Sequence, residues 1–240
     1  MEVYKRFYIV NAMLTCKTNR ELLLPYALPY IVWVLVFTLL NGWLDMAWIY
    51  ALRTVVVTAL LWYFRKCYLS IFSGHSRSNS IFMGICWGIL GCVLWVMLVA
   101  PFISDNVLAW DTLPFFIRVT SAAFLVPVFE ELLMRGYLFR LASQWEQFRK
   151  RKDALALALD HGSIAAGTEP SWSMPAVVVS TVFFTMGHSI HEWPAAFAYG
   201  LLMAFLLIRT GGLLACIIAH GTTNLALGIY VWFTGQWGLW

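Results

Sequence analysis

Apolar residues in this chain do not alternate every second position, nor do they recur as a single stripe every three to four. They run on for about twenty positions at a time, the length that carries an α-helix across a hydrocarbon core of about 30 Å. Such runs extend from Leu22 to Trp43, Met46 to Phe64, Ile81 to Ile103, Leu113 to Leu141, Pro175 to Ser189, Trp193 to Ile208 and Leu213 to Phe233. The pattern predicts an all-α, polytopic transmembrane helical bundle of about seven spans, six to eight in all. No internal repeat is visible, so the inverted halves of a transporter gain no support.

Composition makes the same argument more strongly. The 240 residues are 61% hydrophobic and 12% charged, with a mean hydropathy of +0.75. Soluble proteins average about 45–50% and about 25%. A basic nucleic-acid binder, a disordered tail, a disulfide-stapled secreted module and a large catalytic domain outside the membrane are excluded. The five cysteines, Cys16, Cys67, Cys86, Cys92 and Cys216, form no CxxC pair and predict neither a disulfide framework nor a zinc knuckle.

Basic residues fix the expected orientation, because cationic loops stay on the cytoplasmic side. Alternate connections hold Lys5, Arg6, Lys17 and Arg20, then Arg65, Lys66 and Arg77, then Arg140, Arg149, Lys150, Arg151 and Lys152, then Arg209. The intervening connections hold Asp45, Asp105, Asp111 and Glu192 but no Lys or Arg. The N-terminus is therefore expected inside and the C-terminus outside, with Trp43, Trp48, Trp62, Trp110, Trp193 and Trp237 in interfacial belts. Residues 1–21 read as a cytoplasmic or interfacial leader without a signal-peptide pattern, 22–112 as the first three transmembrane helices, and 113–240 as the catalytic helices. A long cytoplasmic connection at about 142–174 starts with a polar helical stretch, Gln144 to Lys152, and continues as a linker containing Gly162, Ser163, Gly167, Pro170 and Ser171.

A charge at the centre of a span costs about 2.5–3.5 kcal/mol on insertion scales, so each such residue needs a partner or a purpose. Arg53 and Arg118 lie close enough to the outer ends of their spans to snorkel or to form structural ion pairs. The cluster Glu130-Glu131-Leu132-Leu133-Met134-Arg135, preceded by Pro127, lies deeper. At 1.5 Å per residue Glu130 is about 15 Å from Arg140. Glu131 and Arg135 stand at i,i+4 and can pair. Glu130 points about 100° away and keeps no intrahelical cation, which suits a group that gains and loses a proton. By the same rise His188 lies about 20 Å past Pro175 and His220 about 16 Å past Arg209, so all three can share one level. Asn224 shares a helix face with His220, and Phe184 lies one turn before His188.

A carboxylate, two imidazoles and an amide suit hydrolysis of an amide bond by activated water. Glu130 would be the general base for a water held between it and His188, and His220 and Asn224 would donate to the oxyanion. His191-Glu192 is not continued as HExxH, and GxGD is absent.

The three motifs, Glu130-Glu131-x-x-x-Arg135, Phe184-x-x-x-His188 and His220-x-x-x-Asn224, in this order and on separate spans, resemble those of the CAAX-protease and bacteriocin-processing (CPBP, or Abi) family of glutamic intramembrane endopeptidases. The resemblance covers about residues 113 to 234. It implies a helical bundle with the site reached from the membrane and the cytoplasmic side. It also implies a catalytic set of Glu130, His188, His220 and Asn224, supported by Glu131, Arg135 and Phe184, without metal or cofactor. A subgroup linked to bacterial sorting systems with PEP-type C-terminal anchors is similar in general character.

The expected partners are the lipid bilayer and a membrane-anchored protein or peptide substrate cut near its C-terminus; no nucleic acid is expected, and the sequence leaves the oligomeric state open. The expected location is the inner membrane of a prokaryotic cell. Two competing readings use the same residues: a zinc-dependent intramembrane protease, and a non-catalytic scaffold, immunity factor or proton-coupled carrier.

Overall fold

The computed structural model describes residues 18–72, 76–103, 107–164 and 172–240. Lys5, Arg6, Cys16, Lys17, Asp105, Gly167, Pro170 and Ser171 lie outside them. The described chain forms helices α1 Asn19–Leu40, α2 Met46–Tyr63, α3 Arg77–Val99, α4 Thr112–Phe124, α5 Val126–Glu131, α6 Phe139–Gln147, α7 Ala154–Asp160, α8 Met174–Met186, α9 Trp193–Thr210 and α10 Leu213–Thr234. A π-helical segment, Leu132–Leu138, joins α5 to α6.

Among the described residues, six stretches are long and apolar enough to cross a membrane: α1, α2, Arg77–Phe102, Thr112–Gln147, Ile190–Thr210 and α10. The seventh expected span is shorter. Helix α8 has 13 residues, about 20 Å at 1.5 Å per residue, and ends part-way through a core of about 30 Å. Half of the most apolar window in the α9 stretch is buried, against 22% in α2. The outer helices thus show their side chains to lipid, while α9 and α10 form the centre.

Close helix approach sets that centre. Gly84, Gly88 and Gly91 line the face of α3 that meets α10. A Cβ on Gly88 would fall 2.5 Å from Thr222 Cβ and 2.6 Å from the Ala219 carbonyl oxygen. Small residues allow such contact, which membrane helices use in place of a hydrophobic drive. Thr223 Oγ1 then donates to the Gly88 carbonyl at 2.8 Å, a bond available only at that distance of approach.

The ends of the bundle differ in chemistry. At one, Tyr26 accepts from the Leu69 N–H at 2.8 Å, Tyr137 donates to the Asn19 carbonyl at 2.7 Å, and Asn19 holds the Ala158 carbonyl and the Ile164 N–H at 2.8 and 2.7 Å. This end gathers the connections that carry Arg65, Lys66 and Arg149 to Lys152. The polar stretch of the long connection stops being helical at Gln147, turns, and resumes as α7, which the sequence did not predict. The opposite end, built from Trp110, Phe115, Trp232, Trp237 and Trp240, carries the connections without Lys or Arg.

Neither outer arginine forms the ion pair or snorkelling arrangement expected of it. Arg53 is 7% exposed, with its guanidinium 3.8 Å from the centre of the Trp33 ring. Arg118 lies among Trp110, Trp240 and Tyr50, at 4.7, 5.1 and 5.8 Å from their ring centres. A planar guanidinium stacks on aromatic faces that the bundle supplies closer at hand than the interface.

Candidate active site

The Thr112–Gln147 stretch is interrupted on both sides of Glu130 and Glu131. Pro127 has no N–H and its ring crowds the carbonyl of Ala123, four residues back, so α4 stops and α5 begins one residue later. The break leaves carbonyls facing α10. Asn224 Nδ2 donates to the Ala122 oxygen at 2.8 Å, and Gly221 lies so near the Ala123 oxygen that a Cβ would come within 2.5 Å of it. Below the break, the π-helical turn follows Glu130 and Glu131 directly. Such turns concentrate at functional positions.

Glu131 is fully buried, and its Oε1 takes two donors. Arg135 Nη1 reaches it at 3.0 Å and His220 Nδ1 at 2.9 Å. Arg135 also donates to the Gly200 carbonyl at 3.2 Å, and its guanidinium lies 4.9 Å from the centre of the Phe184 ring. With Nδ1 directed at a carboxylate, the other nitrogen of His220 faces outward, and its Nε2 stands 4.0 Å from Glu130 Oε2. That gap is too long for a direct hydrogen bond. Glu130 has no closer charged partner among the described residues.

His188 departs from expectation in its setting. It lies beyond the end of α8 rather than within a span. Gly187 and His188 close the helix by donating to the Phe184 and Thr185 carbonyls at 3.2 and 3.1 Å. A new turn then starts at Ser189, whose N–H donates to Glu192 Oε2 at 2.9 Å, while Trp193 Nε1 donates to the His188 carbonyl at 3.1 Å. Non-helical backbone at membrane depth is tolerated when buried in protein or lining a cavity, and here its polar groups find partners. His188 Nδ1 lies 2.9 Å from the Phe184 carbonyl. The carbonyl can only accept, so Nδ1 carries a proton, and in the neutral ring Nε2 keeps its lone pair. Phe184 supplies that anchor from its backbone, and its ring lies 4.7 Å from the imidazole.

Glu130, His188, His220 and Asn224 line one cavity of about 160 Å³, with Trp95, Phe184, Tyr199 and Thr223 in its walls. The sequence reading did not include Trp95, Tyr199 or Thr223. Tyr199 and Thr223 share a hydrogen bond of 3.0 Å, and Trp95 lies 5.3 Å from His188, ring to ring. An aromatic residue or a threonine in an apolar span carries no sequence signal of this kind. Arg118, Glu192, Leu239 and Trp240 close the cavity toward the end without Lys or Arg. A second cavity of about 430 Å³ shares Arg118, Glu192 and Trp240 with it. The site therefore adjoins the end opposite the basic connections. Among the described residues no group of three His, Cys, Asp or Glu side chains is placed to hold a metal ion.

The family described as type II CAAX prenyl endopeptidase Rce1-like matches residues 112–226, which begin at α4 and end in α10 just past Asn224. These residues are similar to an Rce1-like domain. The match is consistent with a CPBP family protease, and it supports an intramembrane endopeptidase in a multi-pass membrane protein. Comparison with curated proteins and with solved structures gave no match.

Proposed function

We propose that the Rce1-like domain hydrolyses a peptide bond near the C-terminus of a membrane-associated protein or peptide, using water activated by Glu130 and His188. The observation that carries this reading is the convergence of Glu130, His188, His220 and Asn224, from three separate segments, on one cavity.

Glu130 takes a proton from water, and the His188 Nε2 lone pair accepts the second O–H and directs the oxygen at the scissile carbonyl. Attack gives a tetrahedral oxyanion. Asn224 has a second N–H beyond the one given to Ala122 and offers it to that oxygen, beside His220 Nε2. Because His220 Nδ1–H is committed to Glu131, donation from Nε2 requires the imidazolium form, whose charge the Glu131 carboxylate faces. Glu130 returns its proton to the leaving nitrogen, the C–N bond breaks, and the products are a carboxylate and an amine. Arg135 and Phe184 position Glu131 and His188 without touching the substrate.

The substrate class that fits is a bacterial C-terminal sorting segment or peptide precursor held in the inner membrane. C-terminal peptide profiling of membranes from cells carrying the wild-type or the Glu130→Gln protein tests the reading. Shortened C-termini with wild type alone are expected, and identical C-termini in the two would remove the processing role.

A further inference from the structure

The cavity contains a cation that the reaction above does not use. Arg118 projects into it from α4, beside Trp110 and Trp240. No carboxylate lies within ion-pair distance of Arg118 among the described residues. Glu192 lines the same cavity, but its carboxylate accepts the Ser189 N–H at 2.9 Å and holds the turn that follows His188. The aromatic faces and the more distant charge of Glu192 offset only part of what a guanidinium loses on leaving water, and its planar fork matches a carboxylate.

We propose that Arg118 is the receptor for a carboxylate of the substrate, placed so that the peptide runs from Arg118 toward Glu130. This rests on the hydrolytic reading of the same cavity. The two residues are twelve positions apart along one broken helix, about 18 Å at 1.5 Å per residue. An extended peptide covers about 3.3 Å per residue, so the scissile bond lies within about five residues of the bound carboxylate. That carboxylate is the chain's own C-terminus or an Asp or Glu side chain near it. Arg118 is a specificity residue here, since it meets the substrate away from the reacting atoms.

The test uses the full chain in detergent and randomised, N-palmitoylated octapeptides in three sets: free C-terminal acids lacking Asp and Glu, the same peptides as amides, and amides with one Asp or Glu. Retention on immobilised Glu130→Gln protein and cleavage by wild type are both read by mass spectrometry. The acids are expected to be retained about tenfold or more over the plain amides, as a charge-assisted contact requires. The preference should fall toward one in Glu130→Gln/Arg118→Gln and return in part with Arg118→Lys, which also shows that the fold survives. Retention of the acidic amides but not of the plain acids would assign the carboxylate to a side chain, and equal retention of both sets would show that either carboxylate serves. No preference for either acidic set, or one that persists without Arg118, overturns the proposal. Retention that depends on Arg118 without cleavage removes the hydrolytic reading and leaves the carboxylate site standing. Cleavage without preference does the reverse.

Discussion

His220 hydrogen-bonds through Nδ1 to Glu131 at 2.9 Å, across 89 positions of chain and between two different helices. The same Glu131 oxygen holds Arg135. The glutamate that seemed to serve only its own helix therefore orients the imidazole facing Glu130. Removing one member of a buried pair leaves the other charge uncompensated, at a cost of about 3–5 kcal/mol. Arg135→Ala is expected to lower the thermal midpoint in detergent severely. Glu131→Gln/Arg135→Gln, which removes both charges, should be less damaging than either single change. A double variant worse than both would contradict the pairing.

Glu130 and His188 stand in the cavity without carrying the bundle. Glu130→Gln and His188→Ala are each expected to cut peptide hydrolysis by at least about 10²-fold, with little change in thermal midpoint. Full activity in either variant rules out its assigned role.

Asn224 has two separable duties. Asn224→Ala should lower kcat by about 10²–10³-fold if the amide donates to the oxyanion. It should also cost about 1 kcal/mol through the lost bond to the Ala122 carbonyl. A stability loss with kcat unchanged would leave Asn224 a helix clamp only.

Gly88 tests the packing that brings α10 to the site. In Gly88→Ala the new Cβ meets Thr222 Cβ and the Ala219 backbone oxygen at 2.5 and 2.6 Å, and a backbone oxygen cannot swing aside. A destabilisation of about 1–3 kcal/mol is expected, together with loss of the Thr223 bond. Serine on the same helix at Gly91 should do likewise, since Tyr199 and Thr223 occupy its space. Wild-type midpoints in both would refute the close approach.

Outside the membrane, the hydrogen bond and charge of Arg20 hold the Asp160 carboxyl below its ordinary value of 3.8. A depressed folded value means the contribution is present above the unfolded value and disappears as pH falls through the folded one. The midpoint difference between wild type and Asp160→Asn should accordingly be small and positive from about pH 5 to 7, and should shrink only below the ordinary value of 3.8 as the carboxyl takes up its proton in the folded state. A gap that widens in acid would have the wrong sign.

Much of the bundle was legible because hydropathy is a local property: α1, α2, α3, α9 and α10 each begin and end within a few residues of an apolar run. Glu131 and Arg135 were also legible, since i,i+4 spacing follows from helix geometry alone. The third partner, His220, was not, because no local rule links residues on different helices. Pro127 announced a break, yet the apolar pattern continued through it, so the freed carbonyls that meet Asn224 and Gly221 stayed hidden. His188 was placed inside a span for a related reason. Gly187-His188-Ser189 is short, and only the hydrogen bonds from Ser189 to Glu192 and from Trp193 to His188 show that the helix has already ended. Arg118 was assigned to the interface by depth, which says nothing of Trp110 and Trp240 waiting beside it.

The π-helical turn at Leu132–Leu138 has a bearing on sequence length. A π-turn holds one residue more than the α-turn it replaces, and each residue rotates an α-helix by about 100°. Losing one position there would swing Arg135 and Tyr137 out of phase with Glu130 and Glu131, although every remaining residue could be conserved in type. Exchanges of one apolar side chain for another are therefore expected to be tolerated in this helix, whereas a change in the count of residues between Glu131 and Tyr137 is expected to uncouple the two ends of the turn.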